Sequence, residues 1–259
     1  MKFIDLNSDM GEGYGPYAMG DDAALLKIVS SANVACGFHA GDPLTMRETV
    51  AHAVREKVDI GAHPGFMDLW GFGRRVLPIE RPNDIEQFIA YQVGALQAIA
   101  RLQGASVTHF KVHGALANMA AKDEDISKAI VNAVKVVDRE LIFVIPPYCV
   151  TERIAEKAGL RVAREIFADR AYDDSGYLLS RKLPGAVLHD PEIAAARVVE
   201  MIENNRITTI SGKRMPVAID SICVHGDSKE SVDTARTVKT ALQRNDWVLQ
   251  PLSRRSSLR

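Results

Sequence analysis

The stretch "VACGFHAGDP", Val34 to Pro43, decides how the chain reads. It continues an apolar run, passes two glycines and His39, and ends on Asp42-Pro43, a pair that starts helices because aspartate caps the first turn and proline is pre-set for it. A strand handing over to a helix through a short polar loop is one βα unit. Titratable groups at such a junction either cap the turn or stand at the mouth of a pocket, so the role of His39 depends on what the other junctions hold.

Working outward, apolar or β-branched runs that read as strands lie near residues 3–7, 32–38, 58–62, 107–112, 141–145, 161–166 and 219–224. Helical patterns separate most of them. Helix starts are expected at Asp42-Pro43, at Asn83 with Glu86 three residues on, at Asp190-Pro191 and at Ser228, while Gly104 and Gly159 are placed to end two helices. Alternation of this kind predicts a parallel sheet, because parallel neighbours need a crossover of a dozen residues or more. About seven units without an interdomain linker favour one closed α/β barrel over residues 1–250 rather than an open doubly wound sheet. The ending "PLSRRSSLR", residues 251–259, is small, polar and basic and is expected to fray.

Composition narrows the partners. Lysine plus arginine (32) nearly balances aspartate plus glutamate (33), so no net field draws the chain to nucleic acid or an anionic membrane. The three cysteines, Cys36, Cys149 and Cys223, are odd in number and form no C-x-x-C pair, which argues against a disulfide framework or a zinc knuckle. A reducing cytoplasm is the expected location, since "MKFIDLNSDMGEG" lacks an apolar signal region and no apolar run approaches a membrane span.

Side chains two apart on a strand share a face. On that rule Asp5, Asn7 and Asp9 fall together, as do Asn33, Ala35, Gly37 and His39, then Asp59, Gly61 and His63, then His109, Lys111 and His113. The opposite faces carry Leu6, Val34, Ile60, Phe110 and Val112, which suit a helix-covered exterior. The polar faces must then point into the barrel, where an unpartnered polar group costs about 1–3 kcal/mol. His39, His63, His113 and His225 each stand at or just past the C-terminal end of a strand, the rim where barrels gather their reacting groups.

Individual motifs are less decisive. Asp9 and Glu12 in "NSDMGEG" suit proton transfer or cation binding, or an Asx-turn with a solvated glutamate. In "HFKVHGAL" Lys111 is flanked by histidines, so it either lowers its own pKa or pairs with a carboxylate such as Asp9. The arginines of "GFGRR", Gly71 to Arg75, suit a loop closing on a carboxylate or phosphate, or simply a solvated basic loop. "EIFADRAY", Glu165 to Tyr172, either walls the pocket or makes structural salt bridges. His52 and His189 read as surface and local structure, and no cysteine reads as a nucleophile. Aspartate and histidine at strand ends make a metal conceivable, but no tight ligand spacing commits to one. No P-loop is present.

"DLNSDMGEG", "NVACGFHAGDP", "GAHPGF", "GFGRR", "KVHGAL" and "EIFADRAY" together resemble the LamB/YcsF family of bacterial ATP-dependent 5-oxoprolinase A subunits over essentially the whole chain. The resemblance implies a seven-stranded (β/α) TIM-like barrel of the glycoside hydrolase/deacetylase type. It also implies partner subunits B and C, and opening of the 5-oxo-L-proline lactam to L-glutamate as ATP becomes ADP and phosphate. On that footing Asp9, His39, His63 or His113 would be the base on water, and Lys111 or His225 would stabilise developing negative charge. Arg74 or amides after Asp42 would hold the substrate carboxylate, with Asn7, Glu12 and Glu165 as further substrate contacts. A metal-dependent deacetylase or amidase, and a non-catalytic subunit that presents substrate, are the alternatives.

Overall fold

The computed structural model describes residues 1–226, 230–255 and 258. Six parallel strands come first: β1 (Lys2–Met10), β2 (Ser31–Ala35), β3 (Asp59–His63), β4 (Val107–Phe110), β5 (Ile142–Ile145) and β6 (Arg161–Phe167). A hairpin of β7 (Arg206–Thr208) and β8 (Arg214–Pro216) stands apart, followed by β9 (Ser221–Cys223) and β10 (Trp247–Leu249). Each of β1 to β6 pairs with the next, and β9 joins β6 to β1, so seven parallel strands close into a barrel. Asp5–Asn7 of β1 pair with β9, whereas Lys2–Ile4 pair with β10, an extra strand outside the ring.

The helices are α1 (Asp22–Leu25), α2 (Pro43–Glu56), α3 (Pro82–Leu102), α4 (Gly114–Ala120), α5 (Glu124–Asp138), α6 (Val150–Lys157), α7 (Pro191–Glu203) and α8 (Ser231–Arg244). Asp42 and Asp190 cap α2 and α7 through their carboxylates. At α3 the expected Asn83–Glu86 box does not form; the helix starts at Pro82 behind Arg81 with no side-chain cap, because proline alone pre-sets the turn. The expected start at Ser228 lies outside the described residues. Gly104 and Gly159 adopt φ of +69° and +75°, the left-handed geometry that ends a helix. Among the described residues no helix is long and apolar enough to cross a membrane.

Alternation along the strands sorts the interior. Leu6, Val34, Ile60 and Phe110 are buried in the apolar core with Val50, Ile89, Val93 and Val134 of the helices. Asp5, Asn7, Asn33, His109, Lys111 and Glu165 are also buried, as polar groups. Of the described residues in the ending, Leu252 and Leu258 join Ile142, Val144 and Ala163 in a second apolar cluster, and Arg255 pairs with Asp220 at 3.2 Å.

Asp5 is fully buried and accepts from the hydroxyls of Ser30 and Ser31, both at 2.7 Å, and from that of Ser221. Burial pushes its carboxyl up to about 6, against the pull of those hydroxyls. A raised folded-state pKa means the folded chain binds more protons than the unfolded chain between the ordinary carboxylate range and about 6, so stability falls as pH rises through that window. Fully ionised, the group costs the fold about 3 kcal/mol. We expect Asp5→Asn to gain stability relative to the parent as pH rises from acid to neutral; a pH-independent difference in urea unfolding would contradict this.

Candidate active site

The inward polar side chains stack in tiers toward the C-terminal rim. In the middle tier Asn7 donates from Nδ2 to Glu165 Oε1 (2.8 Å) and Ser221 Oγ (2.7 Å), and its Oδ1 accepts from Asn33 Nδ2 at 2.8 Å. His109 Nε2 lies 3.1 Å from Asn33 Oδ1, and burial pushes the ring down to about 4, so it stands neutral as a donor. Gly61 makes room for that ring: a Cβ there would lie 2.1 Å from His109 Nε2. Gly61→Ala is therefore expected to destabilise by about 1–3 kcal/mol through overpacking, and an unchanged unfolding midpoint would refute it.

The upper tier centres on Lys111. Its Nζ donates to Asp9 Oδ1 and Glu165 Oε1, both at 3.0 Å, and to Cys223 Sγ at 3.1 Å, so its three hydrogens are engaged. Burial alone would lower its pKa, but the Asp9 and Glu165 carboxylates outweigh that and raise it well above the ordinary value. The flanking histidines do not depress it, as the sequence left open. Asp9 also accepts from Asn33 Nδ2 at 2.9 Å and lies 3.4 Å from His63 Nε2. Burial opposes its ionisation, but His63 and Lys111 overcome that and hold its carboxyl well below the usual range. The Cys223 thiol is pushed well up by burial and stays protonated.

At the rim His39 and His113 stack face to face, centroids 3.7 Å apart and planes 3° apart, with His63 edge-on to both. His39 Nε2 is 3.2 Å from Glu12 Oε1, and His113 Nδ1 is 3.0 Å from His63 Nε2. Burial pushes both stacked rings well below the ordinary histidine pKa. Glu12, His39, His63 and His113 bring one ligand atom each within 4.8 Å of one another, a candidate metal-binding cluster; Asp9, Cys223 and His225 form a second grouping.

His225 brings a partner that the sequence reading did not single out. Its Nδ1 is 2.8 Å from both Asp169 oxygens, and its ring stacks on Phe167 at 5.5 Å. Burial would raise the Asp169 carboxyl, but His225 outweighs it and holds it low. Counting by twos from Glu165 through Phe167 reaches Asp169, so strand alternation carried the signal.

Three further candidates are engaged within the fold. Asp42 is consumed as a cap: it accepts from Leu44 N (2.8 Å), Thr45 N (3.1 Å) and Gly15 N (2.8 Å), and despite partial burial these bonds hold it at about 2. The amides after it are thereby occupied and do not present an anion site. Asn7 and Glu165 lie fully buried, Asn7 bonded to Glu165, Ser221 and Asn33, and Glu165 paired with Lys111. Arg75 pairs with Asp68, while the exposed Arg74 lies over the Phe72 ring at 4.9 Å, beside the histidines.

Closed parallel strands with a charged, buried constellation over their C-terminal ends define a (β/α)-barrel protein with an enzyme-like rim site. The chain belongs to the LamB/YcsF family, whose model matches residues 4–257. It is 55% identical to the 5-oxoprolinase A subunit of Gluconobacter oxydans (strain 621H), covering 93% of this chain and 95% of that one. It is 50% identical to the 5-oxoprolinase A subunit of Rhodopseudomonas palustris (strain BisB5), covering 97% and 99%. A crystal structure of the lactam utilization protein from Thermus thermophilus superposes with a TM-score of 0.91 at 41% identity, covering 97% of this chain and 100% of that one. The catalytic domain of a peptidoglycan N-acetylglucosamine deacetylase from Eubacterium rectale ATCC 33656 shares the fold alone, with a TM-score of 0.51 at 13% identity, covering 98% and 89%.

Proposed function

We propose that this chain is the A subunit of an ATP-dependent 5-oxoprolinase, a hydrolase that opens the lactam of 5-oxo-L-proline to L-glutamate as ATP becomes ADP and phosphate. Near-full-length identity to subunits of that name carries the reading, and the rim supplies groups suited to hydrolysis. Subunits B and C are its partners, and the cytoplasm is its compartment.

A lactam carbonyl is a poor electrophile. Phosphoryl transfer to its oxygen would raise its reactivity, and since the chain has no P-loop, that step falls to the partners. This chain then handles water. Asp9 is ill suited as a base because its carboxyl is held so low. His225 is better suited: Nδ1–H donated to Asp169 leaves a lone pair on Nε2, the tautomer needed to take a proton. A ring nitrogen of His225 lies within 4.8 Å of an Asp9 oxygen, so one water can be oriented by the carboxylate and deprotonated by the imidazole. Lys111, with its hydrogens engaged, acts as a positioning residue that keeps Asp9 ionised. Arg74 at the mouth meets the substrate carboxylate.

The test mixes purified chain with subunits B and C, 5-oxoproline and ATP, and measures glutamate while omitting one component at a time. Strict dependence on every component is expected. Undiminished glutamate formation without this chain would overturn the assignment.

A further inference from the structure

The three rim histidines pose a hydrogen-bonding problem that neutral rings cannot solve among themselves. His63 Nδ1 lies 2.7 Å from the Lys111 carbonyl and His113 Nε2 lies 2.8 Å from the Phe72 carbonyl. A carbonyl only accepts, so both of those nitrogens carry the proton. With both rings neutral, the remaining nitrogens, His63 Nε2 and His113 Nδ1, would present lone pairs to each other across 3.0 Å, and His63 Nε2 one to Asp9 Oδ2 at 3.4 Å, so the Asp9 carboxylate too calls for a positive charge here. Something positive belongs between them.

The surroundings fit a metal ion. Glu12 Oε1 lies 3.7 Å from His113 Nδ1, and His39 Nε2 at 3.2 Å can donate to that same oxygen, holding the carboxylate in place. Bonds of about 2.0–2.1 Å in a tetrahedral site put ligand atoms about 3.3–3.4 Å apart, between the two separations found here. His63 and His113 each anchor their distal N–H on a backbone carbonyl, the outer support that orients ligating histidines. The remaining nitrogen of His39, Nδ1, is buried without a hydrogen-bond partner. The cluster is also tightly housed: a Cβ at Gly73 would come 2.7 Å from His39 Cβ and 2.9 Å from His113 Cδ2.

We propose that a divalent cation of the zinc class binds between His63 Nε2, His113 Nδ1 and the Glu12 carboxylate, with His39 as the residue that orients Glu12. Two histidines and one carboxylate leave a coordination position open, as hydrolytic zinc sites do. Such an ion polarises a carbonyl oxygen or lowers the pKa of a bound water. Sequence spacing does not advertise the site, because its ligands come from the ends of three different strands.

The test uses the chain alone, without 5-oxoproline, ATP or partners, so its outcome is separate from that of the turnover assay. Chelator-stripped protein is titrated with Co²⁺, followed by visible absorption, and then with Zn²⁺ in competition, with bound metal counted by elemental analysis. One Zn²⁺ per chain is expected, displacing Co²⁺ from a four- or five-coordinate spectrum. His63→Ala and His113→Ala should weaken binding by about 10²-fold or more, and His39→Ala by about 10–100-fold. Exposed His189→Ala should leave it unchanged. Circular dichroism checks that each variant folds, and Glu12→Gln, which keeps size and removes charge, serves if an alanine variant does not. Failure to bind either metal, or binding that survives loss of both His63 and His113, overturns the proposal and leaves a shared proton as the group between the rings.

Discussion

Lys111→Met is expected to destabilise the fold by about 3–5 kcal/mol, because removing one member of a buried ion pair leaves its partners charged and unpaired. The partners are Asp9 and Glu165, each 3.0 Å from Nζ, with Glu165 Oε2 already lacking a hydrogen bond. Turnover of 5-oxoproline by the assembled complex should fall by about 10²-fold or more even at temperatures where the variant stays folded, since the charge that keeps Asp9 ionised and oriented toward water is lost. A double-mutant cycle separates the two effects. Lys111→Met with Asp9→Asn removes the stranded charge beside it, so part of the stability should return. Activity should not, because the carboxylate that orients water is gone as well. Wild-type turnover in Lys111→Met, or recovery of turnover in the double variant, would refute the role of the pair.

Much of this was legible in the sequence because strand alternation is strict. The seven barrel strands fall where apolar runs predict them, and the alternation that put Asp5, Asn7 and Asp9 on one face is the one that buries them inside the ring. Convergence of Asp9, His39, His63, Lys111 and His113 follows, since closing a parallel sheet brings all C-terminal strand ends to one rim. What stayed hidden was whatever depends on contacts rather than period. Strands β7, β8 and β10 are three-residue runs, too short for any periodicity to register. The tail looks polar by composition, yet among its described residues Leu252 and Leu258 join an apolar cluster and Arg255 pairs with Asp220. The cap at Asp42 was legible, but that its other oxygen also takes the amide of Gly15, far back along the chain, was not.

Asp169→Asn is expected to lower kcat by about 10²–10⁴-fold while leaving KM for 5-oxoproline close to the parent value. The loss comes from the tautomer. A carboxylate 2.8 Å from His225 Nδ1 can only accept, so that nitrogen carries the proton and Nε2 is free to act as base. An asparagine turned to donate its N–H₂ there stabilises the other tautomer, with the proton on Nε2, and the ring keeps its place against Phe167 while losing its chemistry. A merely structural role for Asp169 would instead lower stability or raise KM. His225→Gln should be as slow as Asp169→Asn, and the double variant no slower than either, because residues acting as one unit lose their joint contribution only once. Multiplicative losses in the double variant, or near-parent kcat in Asp169→Asn, would show that the base lies elsewhere on the rim.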